Sequence, residues 1–277
     1  ADPQVMARIK SLSMQAATDP SWAFIKARVE WLMADKSKAH DDLIATRQAI
    51  YSQPGMQQAM ANSMVLQDME IRQRNLMTAR DYAAIQADAE LMQKVRQAGR
   101  TLFGDNCAVC HGTSGKGGPG YPNLADKAWL WGGTPEAVAE TIRVGINSDH
   151  PQTRTSQMLA FGRDQMLDRT AVLNVVAYVQ SLSNPALANG PEKDAITAGK
   201  AVFEANCVSC HGPDGKGSTE VGAPDLTDGF WIYGGDRQSI FDTVWGGRQG
   251  YMPAWEKRLS DVDRKILTLY VLDLGGK

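Results

Sequence analysis

Two stretches of the chain, FGDNCAVCHGTSGKGG at residues 103–118 and FEANCVSCHGPDGKGS at residues 203–218, determine how the rest of the sequence is interpreted. Each contains the pattern Cys-x-x-Cys-His, and together they hold all four cysteines and two of the four histidines of the 277-residue chain. Two disulfides or a zinc site would account for the cysteines, but not for the histidine that directly follows each pair. The motif therefore indicates a group that takes two thiols and an imidazole at once.

The two motifs belong to a longer internal repeat. Blocks of similar sequence follow each motif in the same order, and each copy closes with an apolar segment that has a helical pattern. The matching blocks are 98–112 and 198–212, 122–133 and 224–235, 141–145 and 243–247, 158–162 and 252–256, and 169–182 and 263–274. The sequence thus predicts two copies of one domain.

The repeat sets the predicted domain boundaries. We predict an N-terminal helical region at 1–94, a first domain at 95–184, a linker at 185–194 and a second domain at 195–277. The linker sequence contains two prolines and a glycine, which suit an extended connection.

Helix-start signals predict an all-α fold. Thr134 precedes Pro135, which is the order of an N-cap and a first helical residue. Asp236 can cap the equivalent helix of the second copy, and Ser260 and Asp263 have the spacing of a capping box. The loops between these helices are rich in glycine and proline and show no alternation typical of strands.

The N-terminal region differs in composition from the repeats. It holds nine of the twelve methionines and no cysteine. Apolar residues recur there at helical spacing, and we interpret them as core-facing positions on amphipathic helices, with methionine filling gaps rather than binding a metal. The two stripes are Met56, Met60 and Met64, and Ile25, Val29 and Leu32. We expect this region to serve in docking or as a linker.

Cys-x-x-Cys-His is the attachment signature of c-type haem. On one tight turn, two thiols can bond to the vinyl groups of a haem while the adjacent imidazole reaches the iron. We therefore predict two covalently bound haem c groups and no catalytic residue. Cys107, Cys110 and His111 would hold the first haem, and Cys207, Cys210 and His211 the second.

Methionines in aligned loops are the candidates for the sixth iron ligand. We predict Met158 for the first haem and Met252 for the second, because a thioether keeps the iron six-coordinate and raises its reduction potential. Twelve residues, 146–157, lie between Gly145 and Met158 in the first copy, whereas four, 248–251, lie between Gly247 and Met252 in the second. The first copy thus carries an insertion before its methionine. Met166 and His150 lie in or near this insertion and stay open as alternatives to Met158.

Other repeated residues have supporting roles. Pro122 and Pro224 follow the motifs, and the carbonyl of such a turn can accept a hydrogen bond from the proximal imidazole and fix its orientation. Trp129 and Trp231 are predicted to line the haem pockets.

Net charge and hydropathy argue against a nucleic-acid partner and against a transmembrane segment. A net charge of −2 argues against nucleic acid as a partner. No apolar run approaches the roughly 18 residues that cross a bilayer, so we predict no transmembrane segment in this chain. Because c-type haem is attached outside the cytoplasm, we expect a periplasmic protein that associates with the inner-membrane surface through partners.

At these residues the sequence resembles class I cytochrome c, in tandem. In that family a helix with a glycine and an aromatic residue crosses a C-terminal helix with an aromatic residue. The pattern would pair Gly99 and Phe103 with Tyr178, and Gly199 and Phe203 with Tyr270.

The sequence is similar, more closely, to the dihaem subunit of cbb3-type cytochrome c oxidases, which carries CxxCHG, GKG, PNL and W-L-x-GG blocks twice. That resemblance implies an electron-transfer subunit, not an enzyme, which passes electrons from a donor cytochrome c to a membrane-bound haem–copper subunit. The family's N-terminal membrane anchor has no counterpart here, and the 106 residues before Cys107 exceed the usual length. A free periplasmic carrier or the electron acceptor of a dehydrogenase remains an alternative. A catalytic dihaem enzyme is disfavoured, because each copy offers a methionine.

Overall fold

The computed structural model describes residues 3–33 and 35–275. Within those ranges it contains helices, turns and isolated β-bridges but no strand, which confirms the all-α prediction. None of these helices combines the length and the apolar composition that crossing a membrane requires. The α-helices are α1 (Pro3–Thr18), α2 (Trp22–Leu32), α3 (Asp41–Tyr51), α4 (Met56–Ala79), α5 (Tyr82–Gln86), α6 (Ala89–Asn106), α7 (Ala108–His111), α8 (Pro135–Val144), α9 (Arg169–Ser183), α10 (Lys193–Asn206), α11 (Val208–His211), α12 (Arg237–Gly246) and α13 (Asp261–Leu274).

The chain divides after Leu76 into two compact units. In the first unit α2 packs against α1 and α3 around a small apolar cluster that includes Ile25, Val29 and Ile44. Leu32, the third member of the predicted stripe, is instead 49% exposed, at the residue where α2 ends.

The N-terminal methionines have different surroundings. Met60 packs against the apolar cluster of the first unit, and Met77 and Met92 are buried in the second. The side chain of Met64, the third residue of the predicted methionine stripe, lies outside the described residues. The interpretation as core methionines thus holds for Met60, Met77 and Met92.

The predicted helix caps in the second unit are confirmed. The Thr134 hydroxyl accepts a hydrogen bond from the Ala137 N–H at 3.2 Å. Asp236 accepts from two backbone N–H groups at the start of α12, and the Ser260 hydroxyl accepts from the Asp263 N–H at 3.2 Å. These groups satisfy backbone donors that a helix start leaves unpaired, so the local sequence alone sets where α8, α12 and α13 begin.

The helices of the two repeats pair across the repeats. Helix α6, which leads to the first motif, packs on α13 at the end of the chain, and α9 packs on α10. The rings of Phe103 and Tyr270 lie 5.6 Å apart, and those of Phe203 and Tyr178 lie 5.2 Å apart. The predicted pairing of Phe103 with Tyr178 and Phe203 with Tyr270 is therefore wrong.

The glycines at these crossings show the same exchange. A Cβ atom on Gly99 would lie 2.6 Å from Cβ of Tyr270, and one on Gly199 would lie 2.0 Å from the Asn174 carbonyl oxygen of α9. Each glycine thus lets its helix approach the closing helix of the other repeat. Within the second compact unit, the first part of each repeat therefore packs on the last part of the other.

The short connection between α9 and α10 explains this pairing. Between Ser183 and Lys193 the chain contains a 3-10 helix, Pro185–Asn189, and so does not form the extended linker that we expected. Proline fixes a φ angle that suits a 3-10 turn as well as an extended segment. A connection this short keeps α9 and α10 adjacent, because successive elements joined by short loops usually pack together.

Helix α6 continues through the predicted boundary between residues 94 and 95. Its first half is buried: Leu91, Met92 and Val95 pack in one cluster with Ile266 and Leu269 of α13. The segment just before the first motif is therefore part of the second compact unit, and α13 supports α6 along most of its length.

Candidate functional site

The first site is built on the turn that follows α6. Cys107 ends α6 by donating its N–H to the Phe103 carbonyl at 2.8 Å, and it also begins the single turn of α7. The His111 N–H donates to the Cys107 carbonyl at 2.9 Å. Gly112, at a φ of 71°, then turns the chain away. This geometry places both thiols and the imidazole on one short turn.

The second site repeats this geometry at α11. Cys207 donates to the Phe203 carbonyl at 2.8 Å and accepts from the His211 N–H at 2.9 Å. No disulfide joins any of the four cysteines in the structure. No group of three or more histidine, cysteine, aspartate or glutamate side chains converges on a metal site anywhere in residues 3–33 and 35–275. The second motif thus presents two thiols and an imidazole in the same way as the first.

A prolyl carbonyl orients the imidazole in each site. His111 Nδ1 lies 3.1 Å from the Pro122 carbonyl oxygen, and His211 Nδ1 lies 3.1 Å from that of Pro224. Burial lowers the pKa of both imidazoles, because the charged form loses hydration. A neutral ring that donates from Nδ1 keeps the lone pair of Nε2 available, which is the state in which histidine binds a metal.

The first thiol of each motif is held in its neutral form. Burial, followed by the neighbouring thiol of the motif, raises the pKa of Cys107 to about 11 and that of Cys207 to about 11. Both side chains pack against apolar clusters rather than facing water. The sites thus offer neutral sulfur and nitrogen groups in an apolar setting.

The methionines lie at the opposite sites to those expected. Met252 packs against the same apolar cluster as Cys107 and Trp129. Met158 packs against the cluster that also contacts Cys207. The prediction of Met158 for the first site and Met252 for the second is therefore wrong in its pairing, because the closing helices, and the loops before them, are exchanged between the repeats.

Short β-bridges hold each methionine in place. At the first site Met252 and Ile146 exchange two N–H···O hydrogen bonds, both of 2.9 Å. At the second site Met158 donates to the Arg248 carbonyl at 2.8 Å and accepts from its N–H at 3.0 Å. Ile146 and Arg248 are equivalent in the repeat, each directly after the glycine that ends α8 or α12.

Those two glycines make the close approach possible. A Cβ on Gly145 would lie 2.3 Å from the Met252 carbonyl oxygen, and one on Gly247 would lie 2.6 Å from that of Met158. Their φ angles, 70° and 69°, are also in the left-handed region that favours glycine. We name residues 252–256 the Met252 loop and residues 158–162 the Met158 loop.

A cleft of about 1070 Å³ lies between the two repeats and is lined by residues of both. Pro122 and Trp129 line it from the first repeat, and Pro224 and Trp231 from the second. Cofactor sites commonly measure about 300–1,000 Å³. The residues that line it include neither the cysteines and histidines of the motifs nor Met158 and Met252, so this cleft is not itself the haem pocket of either site.

The surroundings of one arginine show whether the site could accept haem, since haem carries two carboxylates that need positive partners. Arg154 lies 5.0 Å from the ring centre of Trp131, and its Nε is buried with no hydrogen-bond partner among the described residues. An unpaired buried guanidinium nitrogen is costly unless an acceptor is bound. Thiols, oriented imidazoles, thioethers and this cation together fit a c-type haem. At the second site Arg248 lies 4.5 Å from the ring centre of Tyr233, but its Nε donates to the Thr243 hydroxyl at 3.0 Å, so only the cation–aromatic contact recurs there.

The remaining candidate residues lie elsewhere. The Nε2 of His150 is 2.8 Å from Glu256 Oε2, and its Nδ1 accepts the Gln152 N–H at 3.0 Å, so both ring nitrogens are engaged within the protein. Met166 is 51% exposed. Sequence reasoning missed Arg154 and the contact of His150 with Glu256, because the insertion that carries them has no counterpart in the second copy.

Comparisons with known proteins match each of the two repeats to a cytochrome family. Residues 194–271 match the family described as cytochrome c oxidase, cbb3-type, subunit III, and residues 97–183 match the cytochrome c family. The chain is 46% identical over 194 residues to the cbb3-type cytochrome c oxidase subunit FixP of Bradyrhizobium sp. (strain ORS 278), which covers 70% of this chain and 66% of that protein.

Two further relatives show similar levels of identity. The subunit FixP of Bradyrhizobium diazoefficiens is 45% identical over 198 residues, or 72% of this chain and 67% of that protein. The subunit CcoP of Cereibacter sphaeroides is 44% identical over 209 residues, or 74% of this chain and 69% of that protein. The chain thus spans about two thirds of the length of these curated relatives.

Proposed function

Because the chain belongs to the family of cbb3-type cytochrome c oxidase subunits that includes FixP and CcoP, we propose that it carries electrons from a donor cytochrome c to the catalytic subunit of such an oxidase. It is an electron-transfer subunit and not itself an enzyme. The observation that carries the proposal is the pair of equivalent sites in one compact unit, each with two thiols, an oriented imidazole and a methionine packed against the same apolar cluster.

Its cytochrome c domains imply covalently bound haem c, and we propose one haem at each site. Cys107 and Cys110 would bond to the first haem, and His111 and Met252 would hold its iron. The second haem would be held by the residues Cys207, Cys210, His211 and Met158. The exchanged packing of the two methionines supports this crossed ligand set.

When bound, haem supplies an iron centre that gains and loses a single electron. The Met252 and Met158 loops, which pack against the apolar clusters of their sites, would exclude water from the bound haem. Prolyl carbonyls hold the proximal imidazoles through Nδ1, which fixes their tautomer and orientation. Arg154 and Arg248 place positive charge beside the aromatic residues at the edge of each site, where it would balance the haem carboxylates.

The partners and the location are part of the proposal. We propose a donor cytochrome c on one side and the membrane-bound oxidase subunit on the other, with the protein in the periplasm at the surface of the inner membrane. The names of the relatives support an assembly with oxidase subunits. The net charge of −2 gives no reason to expect a nucleic-acid partner.

A redox titration of the purified protein tests the haem assignment. We expect two low-spin haems at high potential, and we expect Met252→Leu and Met158→Leu each to lower the potential of one haem, because a thioether ligand raises it. To identify which, each substitution is repeated in a full-length variant whose first motif carries Cys107→Ala and Cys110→Ala. There Met158→Leu should change the remaining haem, and Met252→Leu should leave it unchanged.

The opposite result would overturn the crossed ligands, and a high-spin haem in the wild type would overturn the carrier mechanism. Purification from membranes tests the partners. Recovery with haem–copper oxidase subunits supports the proposal, whereas recovery alone from the soluble fraction favours the free carrier.

A further inference from the structure

A charged network joins the insertion of the first repeat to the Met252 loop. The His150 side chain is only 6% exposed, and its Nε2 lies 2.8 Å from Glu256 Oε2. Since Nδ1 accepts the Gln152 N–H at 3.0 Å, the ring proton is on Nε2 and donates to the carboxylate. Glu256 is the last residue of the Met252 loop, four positions after the methionine.

An arginine completes the network from the other side. Arg143 Nη1 donates to Glu256 Oε1 at 2.6 Å, so the two carboxylate oxygens are bound by different partners. Arg143 also holds Glu140 through two hydrogen bonds of 2.8 Å and Gln152 through one of 2.6 Å. Hydrogen bonds between charged groups are shorter and stronger than neutral ones. Helix α8, the insertion and the Met252 loop are thus joined at a single carboxylate.

At the equivalent positions of the second site, packing rather than charged groups holds the methionine loop. Trp245 aligns with Arg143, and Gly162 aligns with Glu256. A Cβ on Gly162 would lie 2.2 Å from Cε3 of Trp245, so the indole packs directly on the backbone of the Met158 loop. The backbone frame is common to both sites, but among the described residues ionic hydrogen bonds are found at the Met252 loop and not at the Met158 loop.

We propose that His150 is a positioning residue for the Met252 loop. Together with Arg143 it holds Glu256, and through Glu256 it keeps Met252 at the first site. This role rests on the proposed function, since it assumes that Met252 is an iron ligand. His150 acts on the first site alone, because at the second site the loop after Gly247 lacks the insertion and the Met158 loop ends in Gly162 instead of a carboxylate.

Proton NMR of the ferrous full-length protein gives a site-specific test. A methionine bound to low-spin haem gives a methyl resonance shifted far upfield, so the wild type should show two. In His150→Ala we expect the resonance assigned to Met252 by its loss in Met252→Leu to weaken or broaden, and that of Met158 to stay unchanged. The reason is that Glu256 loses the donor that fixes one of its oxygens.

Carbon monoxide binding measures how often Met252 leaves the iron. The gas binds ferrous haem only where the sixth ligand has left, so its apparent rate reports how often the methionine dissociates. We expect the rate at one haem to rise about tenfold in His150→Ala, which corresponds to about 1.4 kcal/mol. His150→Gln should restore much of the wild-type rate, because its amide N–H can also reach Glu256.

A matched control lies beside the other loop. Arg163→Gln removes an exposed ion pair with Asp164, directly after the Met158 loop. We expect it to change neither methyl resonance and neither rate, since exposed pairs contribute little. An effect equal to that of His150→Ala would overturn the proposal, because any lost surface contact would then have the same result.

The outcomes separate the two proposals. If the wild type shows two shifted methyl resonances and His150→Ala alters neither, the positioning role is wrong while the haem ligation stands. If the wild type shows fewer than two, the methionine ligation itself is wrong and the role of His150 with it. If His150→Gln opens the site as far as His150→Ala does, a hydrogen bond to Glu256 is not what holds the loop.

Discussion

The two sites are almost identical on the imidazole side and differ on the methionine side. In both, Nδ1 of the imidazole lies 3.1 Å from a prolyl carbonyl, and the pKa of the first thiol is raised to about 11. On the opposite side, Arg143 holds the carboxylate of Glu256 at the first site, whereas Trp245 covers Gly162 at the second. The motif fixes the attachment side, and the loops are where the two sites acquire separate properties.

We expect the largest loss of stability from substituting the glycines that the two methionine loops approach. Gly145→Ala places a Cβ 2.3 Å from the Met252 carbonyl oxygen, at a φ of 70°. Backbone strain alone costs about 1–3 kcal/mol, and displacing a backbone oxygen adds to it, so we expect a loss of about 3 kcal/mol or more. Denaturant unfolding measures it, and Gly247→Ala should have a similar cost at the second site.

Gly104→Ala is the control for that experiment. Gly104 lies within α6, and a Cβ added there would have no atom of another element within 4 Å. The change should leave the free energy of unfolding unchanged or raise it by up to about 1 kcal/mol. Equal destabilisation by Gly104→Ala and Gly145→Ala would show that the close approach of the loop is not the cause.

Trp245→Ala should weaken the Met158 loop alone. The indole packs on Gly162 and stacks on Phe241 with ring centres 5.5 Å apart. Removing a fully buried tryptophan costs about 3–5 kcal/mol, and since Trp245 is only half-buried we expect about 2 kcal/mol. The methyl resonance of Met158 should broaden, while that of Met252 stays sharp. Broadening of both would show that the two loops do not act separately.

A double-mutant cycle tests the exchange of helices. Phe103 and Tyr270 are in contact, so replacing both by leucine should give a coupling of about 0.5–1.5 kcal/mol in unfolding measurements. The same coupling is expected between Phe203 and Tyr178. The cycle of Phe103 with Tyr178 is the control and should be additive within about 0.5 kcal/mol. Coupling found only in this last cycle would restore the uncrossed arrangement.

The smallest effect concerns pH. The hydrogen bonds from His150 and then from Arg143 lower the pKa of Glu256 to about 2, below the ordinary value of about 4.3. A lowered folded-state pKa stabilises the protein above the ordinary value, and the benefit is lost as the pH falls towards about 2. The difference in unfolding free energy between wild type and Glu256→Gln should therefore shrink slightly between pH 5 and pH 3, since solvent screens an exposed carboxylate. A difference that grows on acidification would contradict this sign.

The fold class and the residues that form each attachment turn follow from contacts between residues close together in the sequence. Residues such as Thr134 and Asp236 start helices through contacts within one turn, and Cys107 and His111 are brought together by four residues of chain. These features need no knowledge of the rest of the molecule, which is why the sequence predicts them well.

The pairing of the repeats could not be predicted in the same way. Tyr178 and Tyr270 occupy equivalent positions on equivalent helices, so either one fits against Phe103 by size, polarity and register. The choice depends on how α9 reaches α10 through a short connection, which is a property of the whole chain. His150 was equally hidden, because its partner Glu256 is 106 residues away.

The crossing of the repeats also makes the two centres depend on each other. The first site takes Met252 and α13 from the second repeat, and the second site takes Met158 and α9 from the first. Neither repeat could therefore be removed as a separate module without opening the centre that the other repeat begins.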